Sequence, residues 1–203
     1  MSPPGWPAST GHGPVGIRPL RRSDAGSWRE VRLANEDWLL GWEPSSPQSW
    51  RDRSSRAAFQ SMRRVLARQA RAGQTLPFAV TFNGRLAGQL TIGNIVRGSS
   101  QSGYAGYWVD GRLAGRGIMP TALALAVDHA FGAGKLHRIE VNIRPENAAS
   151  RRVVDKLGFR EEGYSKKLLY IDDGWRDHVS YALTTEDVPR GLLKRWLSAR
   201  HTG

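Results

Sequence analysis

Two glycines and two arginines form a loop that could bind an anionic ligand. Arg112, Gly115, Arg116 and Gly117 stand between a short apolar strand and a helix of small and aliphatic residues. The first backbone N–H groups of a helix have no partner within it, and the helix dipole favours negative charge there. Glycine also lets the backbone approach a ligand closely. The loop therefore predicts a site for a phosphate-bearing cofactor.

The spacing of this loop excludes two common nucleotide-binding motifs. A P-loop requires a lysine directly after its last glycine, and Gly117 is followed by Ile118. A dinucleotide fingerprint requires a third glycine where this chain has Pro120. The pattern present is Arg-x-x-Gly-x-Gly, from Arg112 to Gly117, which is also compatible with an ordinary tight turn.

A second polar motif stands near the start of a helix that follows a later strand. Asn147 and Ser150 are three residues apart, and this helix ends at Lys156-Leu157-Gly158-Phe159, where the glycine is placed as a C-terminal cap. Together with the loop from Arg112 to Gly117, this string resembles the GCN5-related N-acetyltransferase (GNAT) superfamily. Within it, the string is similar to the RimJ/RimL-like ribosomal-protein N-terminal acetyltransferases.

The resemblance implies acetyl-CoA as cosubstrate. In the family, the sheet splays between two central strands and the pantetheine arm lies in the gap, where it hydrogen-bonds unpaired backbone groups. The residues expected to bind the cosubstrate are Tyr107, Trp108, Val109, Arg112, Ala114, Gly115, Arg116, Gly117, Ile118, Met119, Asn147, Ser150 and Lys156. Backbone contacts are expected from the first three. The Trp108 side chain is also compatible with core packing, and Asn147 with a helix N-cap.

Acetyl transfer to an amine requires an acceptor for the amine proton and a donor to the departing thiolate. The resemblance implies Ser150 as the donor to the sulfur, although serine is also common in the first turn of a helix. The tyrosine that some relatives use as an acid falls at Val154, and the glutamate that some use as a base falls near Leu169. Glu140, on the strand beside the splay, is a candidate base unless its side chain faces away.

The acceptor is expected on the side opposite the cosubstrate. Candidate substrate-binding residues are Trp38, Trp42 and Tyr170, for which core packing is an equal interpretation. An α-amine has an ordinary pKa of about 8, roughly 2.5 units below that of lysine, so it needs less help from a base. The resemblance implies the N-terminal alanine or serine of a ribosomal protein. The alternatives are a small amine such as a polyamine or aminoglycoside, or a non-catalytic CoA- or RNA-binding module.

The elements that position these residues predict an α/β (α+β) fold with a mixed, mostly antiparallel, splayed sheet flanked by helices, the GNAT fold. Strands are predicted over residues 15–20, 76–82, 86–96, 103–110, 137–143, 159–165 and 175–183. Helices are predicted after Gly117 and over residues 24–40, 49–72, 146–157 and 188–200. Residues 1–14 are predicted to be a flexible tail, and residues 15–203 a single domain that includes a short basic C-terminal helix.

Charge points to an acidic partner. The 203 residues carry 30 Lys and Arg against 18 Asp and Glu, a formal net charge of +12. The arginine-rich helix over residues 49–72 could contact ribosomal RNA, and a general bias of composition toward arginine explains it equally well. The oligomeric state, monomer or homodimer, is left undecided by the sequence.

The residue types that are absent or sparse exclude several kinds of site. There is no cysteine, which excludes disulfides and thiolate chemistry, and the five histidines lack metal-ligand spacing, so no metal is expected. No apolar run approaches the roughly 20 residues that span a bilayer, and no signal peptide is visible. We therefore expect a cytoplasmic protein without membrane contact.

Overall fold

The computed structural model describes residues 3–201, which build one eight-stranded sheet and seven α-helices. The strands are β1 Thr10–His12, β2 Val15–Pro19, β3 Leu76–Phe82, β4 Arg85–Val96, β5 Ser102–Val109, β6 Arg138–Ile143, β7 Arg160–Ile171 and β8 Gly174–Thr184. The helices are α1 Ala25–Leu33, α2 Glu36–Leu39, α3 Trp50–Arg53, α4 Arg56–Arg71, α5 Ile118–Phe131, α6 Ala148–Leu157 and α7 Leu192–His201. None of these helices is long and apolar enough to cross a membrane.

The sheet is split at its centre. Its strand order is β1-β2-β3-β4-β5-β6-β8-β7, and every neighbouring pair is antiparallel except β5 and β6. That parallel pair is joined only where Ser102–Tyr104 meets Arg138–Glu140, so the strands diverge beyond Tyr104. The mixed, mostly antiparallel, splayed sheet expected from the sequence is confirmed.

Helices pack on both faces of this sheet. α5 is apolar on nearly all sides and is buried against the sheet, α6 and α7. The core on this face includes Phe78, Leu90 and Leu183. On the other face, α1 and α4 cover β3 and β4 through a smaller core around Trp28 and Phe59. The two cores hold the split sheet in place from both sides.

The expected C-terminal helix is present and packs on α5. Trp196 Nε1 donates a hydrogen bond to Thr121 Oγ1 at 2.9 Å. The carboxylate of Asp128 accepts hydrogen bonds from the backbone N–H groups of Leu192 and Leu193 at 2.6 and 3.0 Å. An acidic side chain at a helix start satisfies N–H groups that have no partner within the helix. α5 therefore anchors α7 at its first turn and along its length.

The N-terminal segment differs from the flexible tail predicted for residues 1–14. β1 pairs with β2, and the Trp6 ring packs edge-on against Phe78 at 5.7 Å. The carbonyl of Gly5 lies 2.6 Å from Nε2 of His129 in α5. Residues 1 and 2 of the predicted tail lie outside the described residues. The prediction failed because a high content of Pro, Gly and Ser indicates a loop, but it does not show that the Trp6 ring packs against Phe78.

Both long N-terminal helices predicted from the sequence are interrupted. The first breaks at residues 34 and 35, and the second at residues 54 and 55. Asn35 turns its amide toward other groups: Oδ1 accepts from Gly111 N at 2.7 Å, and Nδ2 donates to Asp110 Oδ1 at 3.0 Å. Ser54 Oγ accepts from Arg32 Nε at 3.2 Å. These long-range contacts are invisible to local periodicity, which explains the error.

Candidate active site

Two adjoining cavities lie at the split in the sheet. The larger, of about 570 Å³, lies among the end of β5, the loop after it, the start of α5 and the start of α6. The smaller, of about 170 Å³, lies between residues 105–107 of β5 and 141–143 of β6. Their linings share Trp42, Gly106, Tyr107, Asn147 and Ser150. A ligand in the larger cavity can therefore reach the smaller one past Tyr107 and Ser150.

The loop after β5 has the backbone geometry expected of the predicted anion cradle. Gly115 and Gly117 adopt φ values of +81° and +77°, a left-handed conformation that favours glycine. Gly117 is the N-cap of α5 and has no side chain to satisfy the first N–H groups of that helix. The larger cavity is lined here by Leu113, Ala114, Gly115, Gly117, Ile118, Met119 and Pro120. These backbone donors fit the diphosphate of a CoA molecule.

Arg112 and Arg116, both predicted to contact the cosubstrate, are absent from the linings of the two cavities. The Arg112 guanidinium folds back onto Asp110, with Nη2 at 2.6 Å and Nε at 3.1 Å from Oδ2. Burial alone would raise the pKa of Asp110, but hydrogen bonds from Arg112 and Asn35 outweigh it and hold the pKa below its ordinary value. Arg112 thus fixes the shape of the loop.

Arg200 of α7 is a cation near the cradle that the sequence analysis missed. Its Nη1 atom lies 3.5 Å from the point where a side chain at Gly117 would begin. Its guanidinium also stacks 5.5 Å from the ring of Trp196. Because α7 and the loop are distant in sequence, no local pattern could have joined them.

Two of the three β5 residues predicted to supply backbone contacts turn their backbone groups toward the gap. Asp110 N donates to Ala87 O at 2.8 Å, so alternation along the antiparallel ladder turns the backbone of Tyr107 and Val109 toward the gap. Trp108 instead pairs with Gln89, and its ring packs in the core beneath α1 and α4. The Trp108 backbone prediction is therefore wrong, although the residue does line the larger cavity.

Ser150 faces Tyr107 across the junction of the cavities. Asn147 caps α6 by accepting a hydrogen bond from Ser150 N at 3.0 Å, and Ser150 Oγ donates to the Tyr107 hydroxyl at 2.9 Å. Burial raises the pKa of Tyr107, which keeps its hydroxyl protonated. Val154 is fully buried in the core. No hydroxyl is therefore present at that helix position, and the hydroxyls at this junction belong to Ser150 and Tyr107.

Glu140, the candidate base, is not brought to this junction. It lines neither cavity, and its Oε1 accepts a hydrogen bond from Arg138 Nε at 2.8 Å. Arg138 also binds Glu162 on β7. Side chains alternate along β6, so Glu140 shares a face with Asn142 but lies nearer the closed end of the split. The Glu140 prediction is therefore wrong on geometry.

The predicted acceptor wall is partly present. Trp38 and Trp42 line the larger cavity, and Trp38 Nε1 donates to Val109 O at 3.1 Å. Tyr170 lines neither cavity and packs instead against Trp175, with ring centroids 5.7 Å apart. Its carbonyl accepts from Ser45 N at 3.0 Å, which ties the segment after Trp42 to the β7–β8 hairpin. Tyr170 thus supports the wall through its backbone. Lys156, which the sequence predicts to bind the cosubstrate, lines the larger cavity.

His178 is a titratable side chain of the smaller cavity that was not among the residues selected from the sequence. It lies one residue beyond the last β6–β8 pair, Ile143 with Val179, and only 3% of its surface is exposed. Nδ1 lies 3.1 Å from the carbonyl oxygen of Arg176. Burial lowers the pKa of His178, so the ring is neutral at pH 7. Across residues 3–201, no group of His, Asp and Glu has the arrangement of a metal site.

The glycine-rich turn before α5, the split sheet and the cavity beyond the split are the features expected of the GNAT fold. Residues 15–160 match the family described as Acetyltransferase (GNAT) domain, and the chain belongs to that family. It is therefore an acetyl-CoA-dependent N-acetyltransferase, and the expected superfamily is confirmed.

Individual relatives narrow the subgroup. The chain is similar to Mycobacterium smegmatis RimJ, solved in complex with CoA-disulfide, with a TM-score of 0.95 and 42% identity over 98% of this chain and 97% of that one. It is 32% identical to the Escherichia coli ribosomal protein uS5-alanine N-acetyltransferase over 81% of this chain and 85% of that protein. It is also 42% identical to the probable N-acetyltransferase YjcK of Bacillus subtilis, over 51% of this chain and 57% of YjcK. The RimJ/RimL-like character expected from the sequence is confirmed.

Proposed function

We propose that this enzyme acetylates the N-terminal α-amine of a ribosomal protein that begins with alanine or serine. The observation that carries the proposal is the pair of cavities that adjoin at Tyr107 and Ser150. One contains the anion cradle, and the other lies in the gap on the far side. The name of the Escherichia coli relative, which specifies an alanine of protein uS5, supports this acceptor. A ribosomal acceptor places the enzyme in the cytoplasm.

The residues of the larger cavity have distinct tasks in binding the cosubstrate. Acetyl-CoA supplies the acetyl thioester. The N–H groups at the start of α5 bind phosphate oxygens, and the backbone of Tyr107 and Val109 hydrogen-bonds the pantetheine amides in the place of a missing strand. The paired hydroxyls of Tyr107 and Ser150 lie where the two cavities meet, where one of them donates a hydrogen bond to the sulfur. Positioning of both substrates supplies much of the remaining rate.

The size and chemistry of the smaller cavity favour an α-amine. About 170 Å³ is enough for the first residue of a peptide with a small side chain. An α-amine, with an ordinary pKa of about 8, is partly neutral at pH 7, whereas lysine is almost fully charged. Deprotonation therefore costs less for an N-terminus than for a lysine side chain.

The exposed face of α4 supports an approach to ribosomal RNA. Its arginines include Arg56, Arg64, Arg68 and Arg71, none of which has an ion pair within residues 3–201. Unpaired arginines attract phosphate and release counterions on binding. As part of the proposal, α4 contacts RNA while the N-terminus of the acceptor protein enters the smaller cavity.

The acceptor is tested with labelled acetyl-CoA and a matched panel. Peptides with alanine or serine N-termini are compared with the same peptides blocked at the N-terminus, with polyamines and with aminoglycosides. We expect label on the free peptides alone, and a lower KM for ribosomal subunits than for peptides at low salt. Label on a small amine would keep the family and overturn the acceptor, and acetyl-CoA binding without transfer to any member would contradict the proposal.

A further inference from the structure

His178 lies on the acceptor side of the gap between β5 and β6. Val179 and Tyr181 of β8 point into the core that contains α5 and α6. Because side chains alternate along a strand, His178 and Ser180 point to the opposite face, together with Asn142, whose Oδ1 accepts from Ser180 Oγ at 2.8 Å. Ser150 belongs to α6, so Ser150 and His178 approach the smaller cavity from opposite faces of the sheet.

The imidazole of His178 lines this cavity and has a hydrogen-bond partner at Nδ1. A carbonyl oxygen can only accept a hydrogen bond, so the contact of Nδ1 with Arg176 O assigns the proton to Nδ1. Nε2 is then an acceptor, and no described residue donates to it. A buried ring that is fixed at one nitrogen and free at the other has the arrangement of a general base.

We propose that Nε2 of His178 accepts the proton that the acceptor amine loses during acetyl transfer. This inference rests on the proposed function. The amine nitrogen forms a bond to the thioester carbonyl carbon, and its proton passes to Nε2. The carbon–sulfur bond breaks, and its electron pair leaves with the sulfur, which the Tyr107–Ser150 hydroxyl pair stabilises. The protonated imidazole then releases its proton to water.

The surroundings of His178 keep its imidazole unprotonated, as a general base requires. Burial is the largest influence and lowers the pKa of His178, and the positive charge of Arg144 lowers it further. The hydrogen bond to the Arg176 carbonyl and the charges of Glu146 and Asp177 oppose this pKa shift without cancelling it. Arg144 is held by the carbonyl of Gly41 at 2.7 Å and lies over the ring of Trp42 at 5.2 Å. From β5 the neighbouring titratable group is Tyr107, which stays neutral. A base of this kind is unprotonated at pH 7 and can take up a proton from the acceptor.

The test replaces the base and keeps its hydrogen bond. In His178→Asn, the side-chain amide can still donate to Arg176 O, but it has no basic nitrogen. We expect kcat to fall about 100-fold. This is the lower end of the range of rate losses on removing a general base, because an α-amine is already partly neutral. The dissociation constant of acetyl-CoA should not change. In the pH profile of kcat, the acid limb should lie below about pH 6.5 in the wild type. In His178→Asn it should lie near pH 8, roughly the pKa of the free amine.

Two further measurements keep the test decisive. Imidazole added to His178→Ala should restore turnover, and nitrogen NMR of the wild type should show a neutral ring protonated at Nδ1 at pH 7. The control is His137→Gln, an exposed histidine paired with Glu186, which should leave kcat unchanged. Wild-type turnover and an unshifted acid limb in His178→Asn would overturn the base assignment, as would a proton on Nε2. A wild type that acetylates no α-amine would instead overturn the proposed function.

Discussion

Ser150 and Tyr107 bring two hydroxyl protons to the junction of the cavities and share one short hydrogen bond. Ser150 Oγ donates to the tyrosine hydroxyl at 2.9 Å, while the tyrosine hydroxyl is 3.4 Å from the Ser150 carbonyl oxygen, a long contact. The proton of the Tyr107 hydroxyl can therefore be donated to a ligand, and no strong hydrogen bond has to break. A hydrogen bond to a charged group is worth about 1.5–3 kcal/mol, which makes this proton useful to a departing thiolate.

Removing either hydroxyl tests this sharing. In Ser150→Ala and in Tyr107→Phe, the remaining hydroxyl can still donate to the sulfur, so each variant should lose roughly 10-fold in kcat. The double variant should lose far more than the product of the two losses, because no donor is left. Steady-state kinetics with acetyl-CoA affinity as the control would measure this. Unchanged kcat in the double variant would remove both hydroxyls from the mechanism.

At the scale of residues, the sequence identified the backbone features and missed the side-chain partnerships. Gly115 and Gly117 were predictable because a left-handed turn before a helix needs glycine. Ser150 was predictable through its position in the α6 motif. His178 was not predictable, because its place in the site depends on which face of β8 it occupies and on the split between β5 and β6.

At the scale of elements, the split sheet and the broken first helix serve the same site. β5 and β6 pair over three residues and then diverge, which leaves the backbone of Tyr107 and the N–H of Val109 without a partner on β6. The break between α1 and α2 allows Asn35 to bind Gly111 N and Asp110, which fixes the start of the cradle. Periodicity predicts the strands well, but a helix break made by a distant partner has no local signal.

The N-terminal segment should stabilise the fold. Trp6 packs on Phe78, a fully buried residue of β3 that belongs to the core around α5. Trp6→Ala should therefore lower the free energy of unfolding by about 1–3 kcal/mol, measured by denaturant titration. Trp175→Ala is the matched control, since 61% of that residue is exposed, and its change should stay within about 0.5 kcal/mol. Equal effects from the two variants would show that the segment contributes no packing.

At the scale of the whole molecule, several carboxylates are held in ion pairs with arginines, while a net charge of +12 remains. For Asp24, burial would raise the pKa, but hydrogen bonds from Arg18 and Arg21 lower it below its ordinary value. Asp187 behaves in the same way through Thr184 and Arg160. A carboxylate with a lowered pKa stabilises the fold above its ordinary pKa of about 4, and this stability is lost as the pH falls through the lowered value.

His178 adds an earlier step to this acid sensitivity. Its pKa in the folded state is lowered, so the unfolded chain binds the proton more tightly, and stability falls once the pH drops below about 6.5. Melting temperatures should be level from pH 8 to about 6.5, decline below that, and decline again below about 4. In His178→Asn the first decline should be absent. A wild-type melting temperature that is constant down to pH 5 would contradict the buried, neutral state of His178.

The most direct test of the account is the position of the acetyl group on a peptide acceptor. A peptide that starts with alanine and contains one internal lysine would be incubated with acetyl-CoA and sequenced by tandem mass spectrometry. We expect acetylation of the α-amine, none on the lysine, and no product when the N-terminus is blocked beforehand. Acetyl-lysine in the blocked peptide would contradict the account.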